Sequence, residues 1–526
     1  DRSPSRGLGD VYKRQLIIPA LALTLTGCVK DDELHQVDPN FDSAASFWKT
    51  EDDAMKGVNA VYASLITDGT YMRSTPLLLD TKADDARTNS PWNSMANVGR
   101  FNTNIADPAI YGWAFETYYQ GIYRANQVLD HVPAIEFADE DYKNRLLGQA
   151  YFLRGLYLFH LANMFKNVPV PVTTSEVYHP QKQQDEVWAQ VKEDLAKAAE
   201  LLPVAYNTVT GVDKEDKGRA TKGAALAYLG KAQLFTYDYA GAKASFESVM
   251  NLGIYSLVSN YKDNFTTANE NNSESIFEVQ FSREAGGVIL GWGGAPGSDW
   301  GKTSARAITY APRKFGFTDV QPTWTLFNEY QQEATVTGEV DPRLDVTIIY
   351  NKPGMMLYGQ SFQAAYANSV ADLNDIFWRK YQNADGDFVD ENDWRSGINE
   401  RLFRYADVLL MYAECLNELG QTSQSYSYIQ QVRNRVNLPD LETAKPNMTT
   451  AQMRDQIAHE RFLEFSAEGH RFDDIRRWGW LRDATKLAWL KSRDAEFNTY
   501  QPGREYFPIP QQEMDNNPGT VQNDSY

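Results

Sequence analysis

The sequence lacks the features that define several common classes of protein. It has only two cysteines in 526 residues, which is too few for a disulfide framework or a cysteine-rich zinc module. Lysine and arginine number 51 against 70 acidic residues, giving a formal net charge of −19, and so acidic a chain is not a general nucleic-acid binder. Hydrophobic residues make up 42% and aromatic residues 13% of the chain, which excludes wholesale disorder.

The motifs of several enzyme classes are also missing. His459-Glu460 begins like the helix of a zinc protease, but Leu463 stands where the second histidine is required. Gly301-Lys302-Thr303 ends like a phosphate-binding loop, yet Pro296 stands where its first glycine belongs. No Gly-x-Ser-x-Gly nucleophile elbow occurs. Because the acidic residues supply carboxylate pairs at any spacing, a glycoside hydrolase on a helical scaffold stays open as an alternative.

The amino-terminal segment, residues 1–27, is predicted to be a leader with a lipoprotein signal. Residues 1–15 show no periodicity and resemble a translated artefact of assembled environmental sequences, so no inference rests on them. The uncharged apolar run Leu16–Thr26 is shorter than the ~20 residues that span a bilayer and is typical of a secretory signal. It ends in Leu25-Thr26-Gly27-Cys28, which resembles a bacterial lipobox and predicts lipidation of Cys28. An ordinary signal peptide with an incidental cysteine is the alternative.

A short charged segment, Val29–Glu33, follows the predicted lipidation site. A lysine followed by acidic residues at this place resembles the surface-export signal of Bacteroidetes lipoproteins. Taken alone, the run is equally typical of a solvated tether, which we predict over residues 28–40. We therefore expect the protein to be lipid-anchored in the outer membrane at the cell surface.

Helical periodicity dominates two blocks of the remaining chain. Leu146–Phe165 is apolar on nearly all sides, which predicts a buried helix. Ala224–Phe235 and Ala240–Met250 form a pair of helices with a short connection, and Leu229-Gly230 and Phe246 lie at tetratricopeptide offsets. A second pair of this kind is predicted within Val408–Val436.

The middle of the chain, residues 269–399, has a different character. It contains the glycine-rich stretch GGVILGWGGAPGSDWG and several prolines but few long periodic runs, which indicates loops with short strands. Ser275–Ser282 alternates and is predicted as a strand. The predicted fold class is mainly α: a tetratricopeptide-like helix-turn-helix scaffold over residues 41–268 and 400–526, with a loop-rich subdomain inserted at 269–399.

Seven collinear segments together resemble the SusD/RagB family of outer-membrane, glycan-binding lipoproteins of Bacteroidetes. The resemblance runs from Cys28 to the carboxyl terminus, and the segments that carry it are Phe47–Ala54, Tyr119–Val132, Ala150–Pro171, Gly218–Phe235, Arg404–Gly420, Glu460–Gly479 and Tyr506–Pro510. It implies a mainly helical protein without catalytic activity. Such a protein would capture oligosaccharides and deliver them to a SusC-like TonB-dependent transporter.

Aromatic residues in loops are the candidate sugar contacts, because rings cover the C–H faces of sugars while polar side chains bind the hydroxyls. Trp92 lies in a polar loop with a proline, and Trp292 and Trp300 lie in the glycine-rich loop. The resemblance likewise implies an aromatic arc from one early and one central loop. The full set of predicted glycan-binding residues is Trp92, Trp292, Trp300, Tyr310, Asn93 and Arg87.

The other tryptophans are interpreted mainly as packing residues. Trp48, Trp113, Trp188, Trp478 and Trp489 fall on predicted helices. Trp324 follows Pro322-Thr323, which is typical of a helix start, and could belong to the core.

Two polar clusters have structural interpretations. Glu460, Glu464 and Glu468 recur every four residues and are predicted to lie on one helix face in a charge network with the arginines that follow. The segment NADGDFVD, residues 383–390, resembles a calcium loop, but its glycine is out of register. We interpret it as an Asx-rich turn, with calcium as a minority hypothesis and no other cofactor expected. Cys415 is predicted to be an inert core thiol.

The function predicted from the sequence is glycan capture by a non-catalytic surface lipoprotein. Its expected partners are an oligosaccharide, a SusC-like transporter and the outer membrane, with no nucleic acid. Besides the hydrolase, a tetratricopeptide-type protein-interaction module that binds no sugar remains an alternative.

Overall fold

The structure is a computed structural model, and it describes residues 47–176, 179–283, 302–386, 394 and 396–526. The residues from Thr50 to Tyr526 form one compact unit. Within the described ranges, no helix combines the length and the hydropathy that crossing a bilayer requires.

The first half of the unit is built mainly from helices, and six of those described have 13 residues or more. The helices are α1 (Glu51–Ala63), α2 (Ser74–Asp80), α3 (Asn93–Gly99), α4 (Tyr111–His131), α5 (Glu140–Phe165), α6 (Gln184–Leu201), α7 (Lys222–Phe235) and α8 (Tyr239–Asn251). As its apolar sequence predicts, α5 is buried along nearly its whole length. Its two buried arginines are neutralised by bidentate ion pairs, Arg145 with Asp213 and Arg154 with Asp194, as buried charges require.

The pair α7 and α8 has the predicted helix-turn-helix form. A Cβ atom at Gly230 would lie 2.7 Å from Cε1 of Phe246, so the two helices approach closely only because position 230 carries no side chain. Asp238 caps α8 by accepting a hydrogen bond from the backbone N–H of Gly241. The tetratricopeptide offsets of Gly230 and Phe246 therefore have a direct packing cause.

The middle of the chain contains short elements, as predicted. Its helices are α9 (Arg306–Tyr310), α10 (Trp324–Glu329), α11 (Arg343–Thr347), α12 (Phe362–Ala365) and α13 (Val370–Leu373). The last part contains longer helices together with short ones: α14 (Tyr405–Glu418), α15 (Thr422–Arg435), α16 (Leu441–Ala444), α17 (Thr450–Glu464), α18 (Arg471–Arg477), α19 (Ala484–Arg493) and α20 (Gln511–Asn516).

The strands are short and form two-stranded antiparallel sheets. They are β1 (Ala86–Thr88) with β5 (Val320–Pro322), β2 (Val168–Pro169) with β3 (Gln181–Lys182), β4 (Ser275–Val279) with β10 (Glu400–Arg404), β6 (Ile348–Ile349) with β9 (Phe377–Trp378), and β7 (Met356–Leu357) with β8 (Gln360–Ser361). The predicted strand at Ser275 is confirmed as β4. Its partner β10 leads directly into α14, so this ladder joins the middle of the chain to the carboxyl-terminal helices.

The predicted charge network exists, but its arginines come mostly from other parts of the chain. Glu464 accepts hydrogen bonds from Arg343, Arg404 and Arg435, all of them buried. The expectation that Glu468 shares the helix face of Glu464 is wrong, because α17 ends at Glu464 and Ala467 takes a left-handed conformation. Glu468 instead accepts from Arg404 and Lys380.

Cys415 lies in α14 and is buried, and burial raises the pKa of its thiol well above the ordinary range. A protonated thiol is a poor nucleophile. The interpretation of Cys415 as an inert core residue therefore agrees with its surroundings.

Candidate functional site

The predicted residue Trp92 lies at the surface beside a second tryptophan. Trp92 is the residue that precedes α3, and its backbone N–H donates to Ser90 Oγ at 3.1 Å. Its half-buried ring lies 5.8 Å from the half-buried ring of Trp113, with 35° between the planes. Trp113 belongs to the first turn of α4. Two neighbouring indoles of this kind form a ring-sized apolar surface.

A buried arginine joins this pair to a third tryptophan. The guanidinium carbon of Arg73 lies 5.7 Å from the ring centroid of Trp92 and 5.8 Å from that of Trp394. Asp68 holds the guanidinium in place through Nε–Oδ1 and Nη2–Oδ2 contacts of 2.8 and 2.7 Å. A cation this close to two indoles stabilises their arrangement, and the bidentate pair fixes its orientation.

The far side of the cluster is more exposed. Phe317 is 49% exposed and its ring lies 5.2 Å from that of Trp394 in an edge-to-face arrangement. The carbonyl of Trp394 accepts a hydrogen bond from Thr303 Oγ1 at 3.3 Å. We call the four rings of Trp92, Trp113, Phe317 and Trp394, together with Arg73, the aromatic platform.

Polar groups lie next to the platform. Burial raises the pKa of Asp319, against the opposing effects of a hydrogen bond from Ser90 and the charge of Arg73. The carboxyl of Asp319 is thus tied to the loop that carries Trp92 and to the arginine between the indoles. Aromatic faces combined with a few oriented polar groups are the usual composition of a sugar-binding surface.

The other predicted residues have different outcomes. Asn93 is exposed and is the first residue of α3, directly after Trp92. Arg87 lies in β1, where its side chain donates to Gln321 Oε1 at 3.3 Å and lies 3.8 Å from Asp375. Trp292 and Trp300 lie outside the described residues, so their role stays a prediction. The described residues on either side of the segment that contains them are hydrogen-bonded to each other: the N–H of Ser282 donates to the carbonyl of Lys302 at 2.6 Å.

The interpretation of Tyr310 as a glycan contact is wrong. Tyr310 ends α9 and is only 1% exposed. Its hydroxyl donates to Asp80 Oδ2 at 2.9 Å, and the guanidinium of Arg306 lies 5.0 Å from its ring. A ring enclosed by the core cannot cover the face of a ligand.

Two further interpretations of tryptophans also need correction. Trp324 does follow a helix start, with Thr323 as the capping residue, but it is 44% exposed and not part of the core. The interpretation of Trp113 as a packing residue on a helix is incomplete, because its half-buried ring lies beside that of Trp92 at the surface. Its place on a helix concealed it, because helical periodicity alone does not distinguish a packing ring from a ring at the surface.

The calcium hypothesis stays untested. Asp385 forms ion pairs with Lys262, at 2.7 Å, and with Arg379, while Asp387 and Asp390 lie outside the described residues. Among the residues with described positions, no three His, Cys, Asp or Glu side chains are grouped closely enough to hold a metal ion.

Comparison with known proteins identifies relatives over almost the whole chain. The sequence model of the SusD family matches residues 273–526, and a model described as "Starch-binding associating with outer membrane" matches residues 43–234. SusD-like protein P25 of Formosa agariphila is 26% identical, covering 95% of this chain and 96% of its own.

Solved structures show the same fold. A SusD superfamily protein from Bacteroides vulgatus matches with a TM-score of 0.77 and 29% identity, over 91% of this chain and 100% of its own. A laminarin-binding SusD-like protein matches with a TM-score of 0.73 and 27% identity, over 91% of this chain and 100% of its own.

Proposed function

Because this chain belongs to the SusD/RagB family, whose members bind glycans, we propose that it captures oligosaccharides at the cell surface without cleaving them. The observation that carries the proposal is the aromatic platform, in which Trp92 and Trp394 flank a guanidinium that Asp68 holds in place, and Trp113 lies beside Trp92. Such a surface binds the C–H faces of sugar rings.

The proposal also covers delivery and attachment. We propose a SusC-like TonB-dependent transporter as the partner that receives the captured glycan. We propose further that a lipid on Cys28 keeps the protein at the outer membrane, with which one of the matching family descriptions associates it.

The binding step is tested by screening the purified protein against neutral, uronic and sulfated oligosaccharides and then comparing variants on the ligand found. Trp92→Ala is expected to weaken binding about five- to hundredfold, on the order of the 1–3 kcal/mol that a ring stacked on an aromatic side chain contributes. Trp324→Ala is the matched control, because it removes an exposed indole that is not part of the platform. Equal affinities of the two variants would show that the platform is not the binding site.

Catalysis is tested in the same samples. The proposal expects the bound oligosaccharide to be recovered intact after long incubation. Cleavage products that disappear on substitution of a single Asp or Glu would instead establish a glycoside hydrolase.

A further inference from the structure

An open groove of about 720 Å³ lies between α4 and the segment that carries α20. The α4 side is formed by Trp113, Glu116, Gln120 and Tyr123, and the opposite side includes Gln512 and Asn516. The four α4 residues recur at three- and four-residue intervals, which places them in one row along the helix. Trp113 belongs to both the aromatic platform and the groove.

The length of the groove suits an extended ligand. Trp113 and Tyr123 are ten positions apart on α4, which corresponds to about 15 Å at 1.5 Å per residue. Tyr123 is 57% exposed, so its ring offers a face at the end opposite the platform. The hydroxyl of Tyr123 accepts a hydrogen bond from Gln127 at 3.0 Å, which restrains the ring.

The second wall is held firmly against the body. The side-chain amide of Asn517, just after α20, donates to the carbonyl of His179 at 2.9 Å and to Glu513 at 2.8 Å. At the platform end, a Cβ atom at Gly112 would lie 3.0 Å from Cβ of Pro108 and 4.0 Å from Cγ of Pro510. The two walls therefore come together beside Trp113.

The groove carries unused hydrogen-bonding groups. Within the described part of the chain, the side-chain amides of Gln512 and Asn516 have no protein partner, and Gln120 has only a 3.5 Å contact to Glu116. Each amide offers donors and an acceptor at the surface. Hydroxyl groups, which both donate and accept, match such amides better than a purely apolar or a purely charged ligand does.

The charges in the groove disfavour an anionic ligand. Glu116 and Glu513 contribute two carboxylates, and the only cation lining the groove among the described residues is Arg124. Its Nη1 already donates to the carbonyl of Ala60 at 3.1 Å and to Ser64 Oγ at 2.9 Å. A sulfated or uronic chain would therefore meet net repulsion.

We infer that the groove between α4 and α20 is an extension of the glycan site that holds several consecutive sugars of a neutral, linear oligosaccharide, continuing from the sugar on Trp92 and Trp113. The inference rests on the proposed function. The ligand is expected to be uncharged and longer than the platform. Tyr123 is assigned as the distal ring and Gln120, Gln512 and Asn516 as hydroxyl-binding residues.

The test is a chain-length series measured by titration calorimetry on the full protein. The probes are laminari-, cello-, malto-, xylo- and manno-oligosaccharides of two to six sugars, with uronic and sulfated oligosaccharides alongside. In the series that binds, the wild-type affinity should rise about tenfold or more from the trisaccharide to the hexasaccharide, as added aromatic and polar contacts predict. Tyr123→Ala and Gln512→Ala should bind the trisaccharide like wild type but lose most of that gain.

Two controls separate this inference from the proposed function. Tyr237→Ala removes a tyrosine that is 59% exposed in a different cavity and should leave the whole series unchanged. Trp92→Ala should weaken short and long ligands together. An affinity independent of chain length, an undiminished gain in Tyr123→Ala, or binding confined to anionic oligosaccharides would overturn the groove assignment. Absence of wild-type binding to every oligosaccharide would overturn the proposed function itself.

Discussion

The indole rings of Trp92 and Trp113 lie 5.8 Å apart, although one precedes the short helix α3 and the other lies in the first turn of α4. Neither ring is held by its own element alone. Arg73 contacts Trp92 from a third segment, so the arrangement depends on three parts of the chain meeting at one place.

The two rings are expected to act as a unit in ligand binding. Trp92→Ala and Trp113→Ala should each weaken oligosaccharide binding about tenfold or more, and the double variant should lose less than the sum of the two free-energy changes, because each ring positions the other. Calorimetry on the four proteins of this double-mutant cycle measures the coupling. Strict additivity would show that the two rings contact the ligand independently.

Replacement of Arg73 by lysine should weaken oligosaccharide binding. Lysine keeps the positive charge but loses the planar fork that pairs with Asp68 and the flat face between Trp92 and Trp394. We expect Arg73→Lys to weaken binding about three- to tenfold, which corresponds to roughly 0.7–1.4 kcal/mol.

Arg454→Lys is the matched control for Arg73→Lys. Arg454 also forms a bidentate pair, with Glu418 at 2.6 Å on both contacts, but its side chain is 57% exposed and it is not part of the platform. Its substitution should leave affinity unchanged. Unaltered affinity of Arg73→Lys would show that the guanidinium does not position the indoles.

The lipid anchor is tested by comparing the two cysteines. Cys28→Ser removes the predicted acceptor of the lipid, so the protein should move from the membrane fraction to the aqueous fraction and should not incorporate labelled fatty acid. Cys415→Ser should remain in the membrane fraction, because Cys415 is a buried core thiol. Continued labelling of the Cys28→Ser protein would refute lipidation at this residue.

Several structural features could be predicted from the sequence because their causes are local. The buried helix α5 follows from apolar residues on all sides, β4 follows from alternation, and the close contact of α7 with α8 follows from Gly230 opposite Phe246. These patterns repeat within a few residues, so periodicity and spacing reveal them.

The candidate site was harder to predict because its contacts join distant parts of the chain. Arg73 meets Trp394 across more than three hundred positions, and no local pattern indicates that contact. The prediction for Tyr310 was wrong for the same reason, because its burial depends on contacts with the distant residues Asp80 and Arg306. Trp394 stands among Asn, Asp, Arg and Ser, a polar setting like that of Trp92, and this signal could have identified it.

The charge network around Glu464 should contribute strongly to stability. Glu464 accepts from three buried arginines, Arg343, Arg404 and Arg435. Glu464→Gln would remove the carboxylate that the three cations share, although each keeps another carboxylate partner, and we expect a loss of about 2–3 kcal/mol in the free energy of unfolding. Urea denaturation followed by circular dichroism measures this loss.

The control for Glu464→Gln is an ion pair with an exposed cation. Glu418→Gln breaks the pair with Arg454 and should cost less than about 1 kcal/mol. Losses of equal size in the two variants would contradict the assignment of the buried network as a main source of stability.

Two adjacent buried carboxyls should give opposite dependences of stability on pH. Burial alone would raise the pKa of Asp84. The positive charges of Arg471 and Arg493 have the larger combined effect, so the pKa of Asp84 is lowered to about 2. Burial together with the charges of Asp80 and Asp84 raises the pKa of Asp85 to about 8. Asp84 therefore binds its proton less readily in the folded state than in the unfolded state, and Asp85 binds it more readily.

The sign of each effect follows from these shifts. The contribution of Asp84 is present above its unfolded pKa of about 3.9 and is lost as the pH falls towards 2. The contribution of Asp85 is present below about 3.9 and is lost as the pH rises towards 8. The stability of the fold should therefore decline towards low pH because of Asp84 and towards high pH because of Asp85.

Asparagine variants measured by urea denaturation between pH 3 and 8 separate the two effects. Asp85→Asn should stabilise the fold on the order of 4 kcal/mol at pH 7 and change it little at pH 4, because the amide cannot ionise and can still accept the hydrogen bond from the N–H of Ala467. Asp84→Asn should destabilise at pH 7 and lose the decline at low pH, since Arg471 and Arg493 then lack their carboxylate. A destabilised Asp85→Asn protein at pH 7 would show that Asp85 is ionised in the fold and paired with a cation.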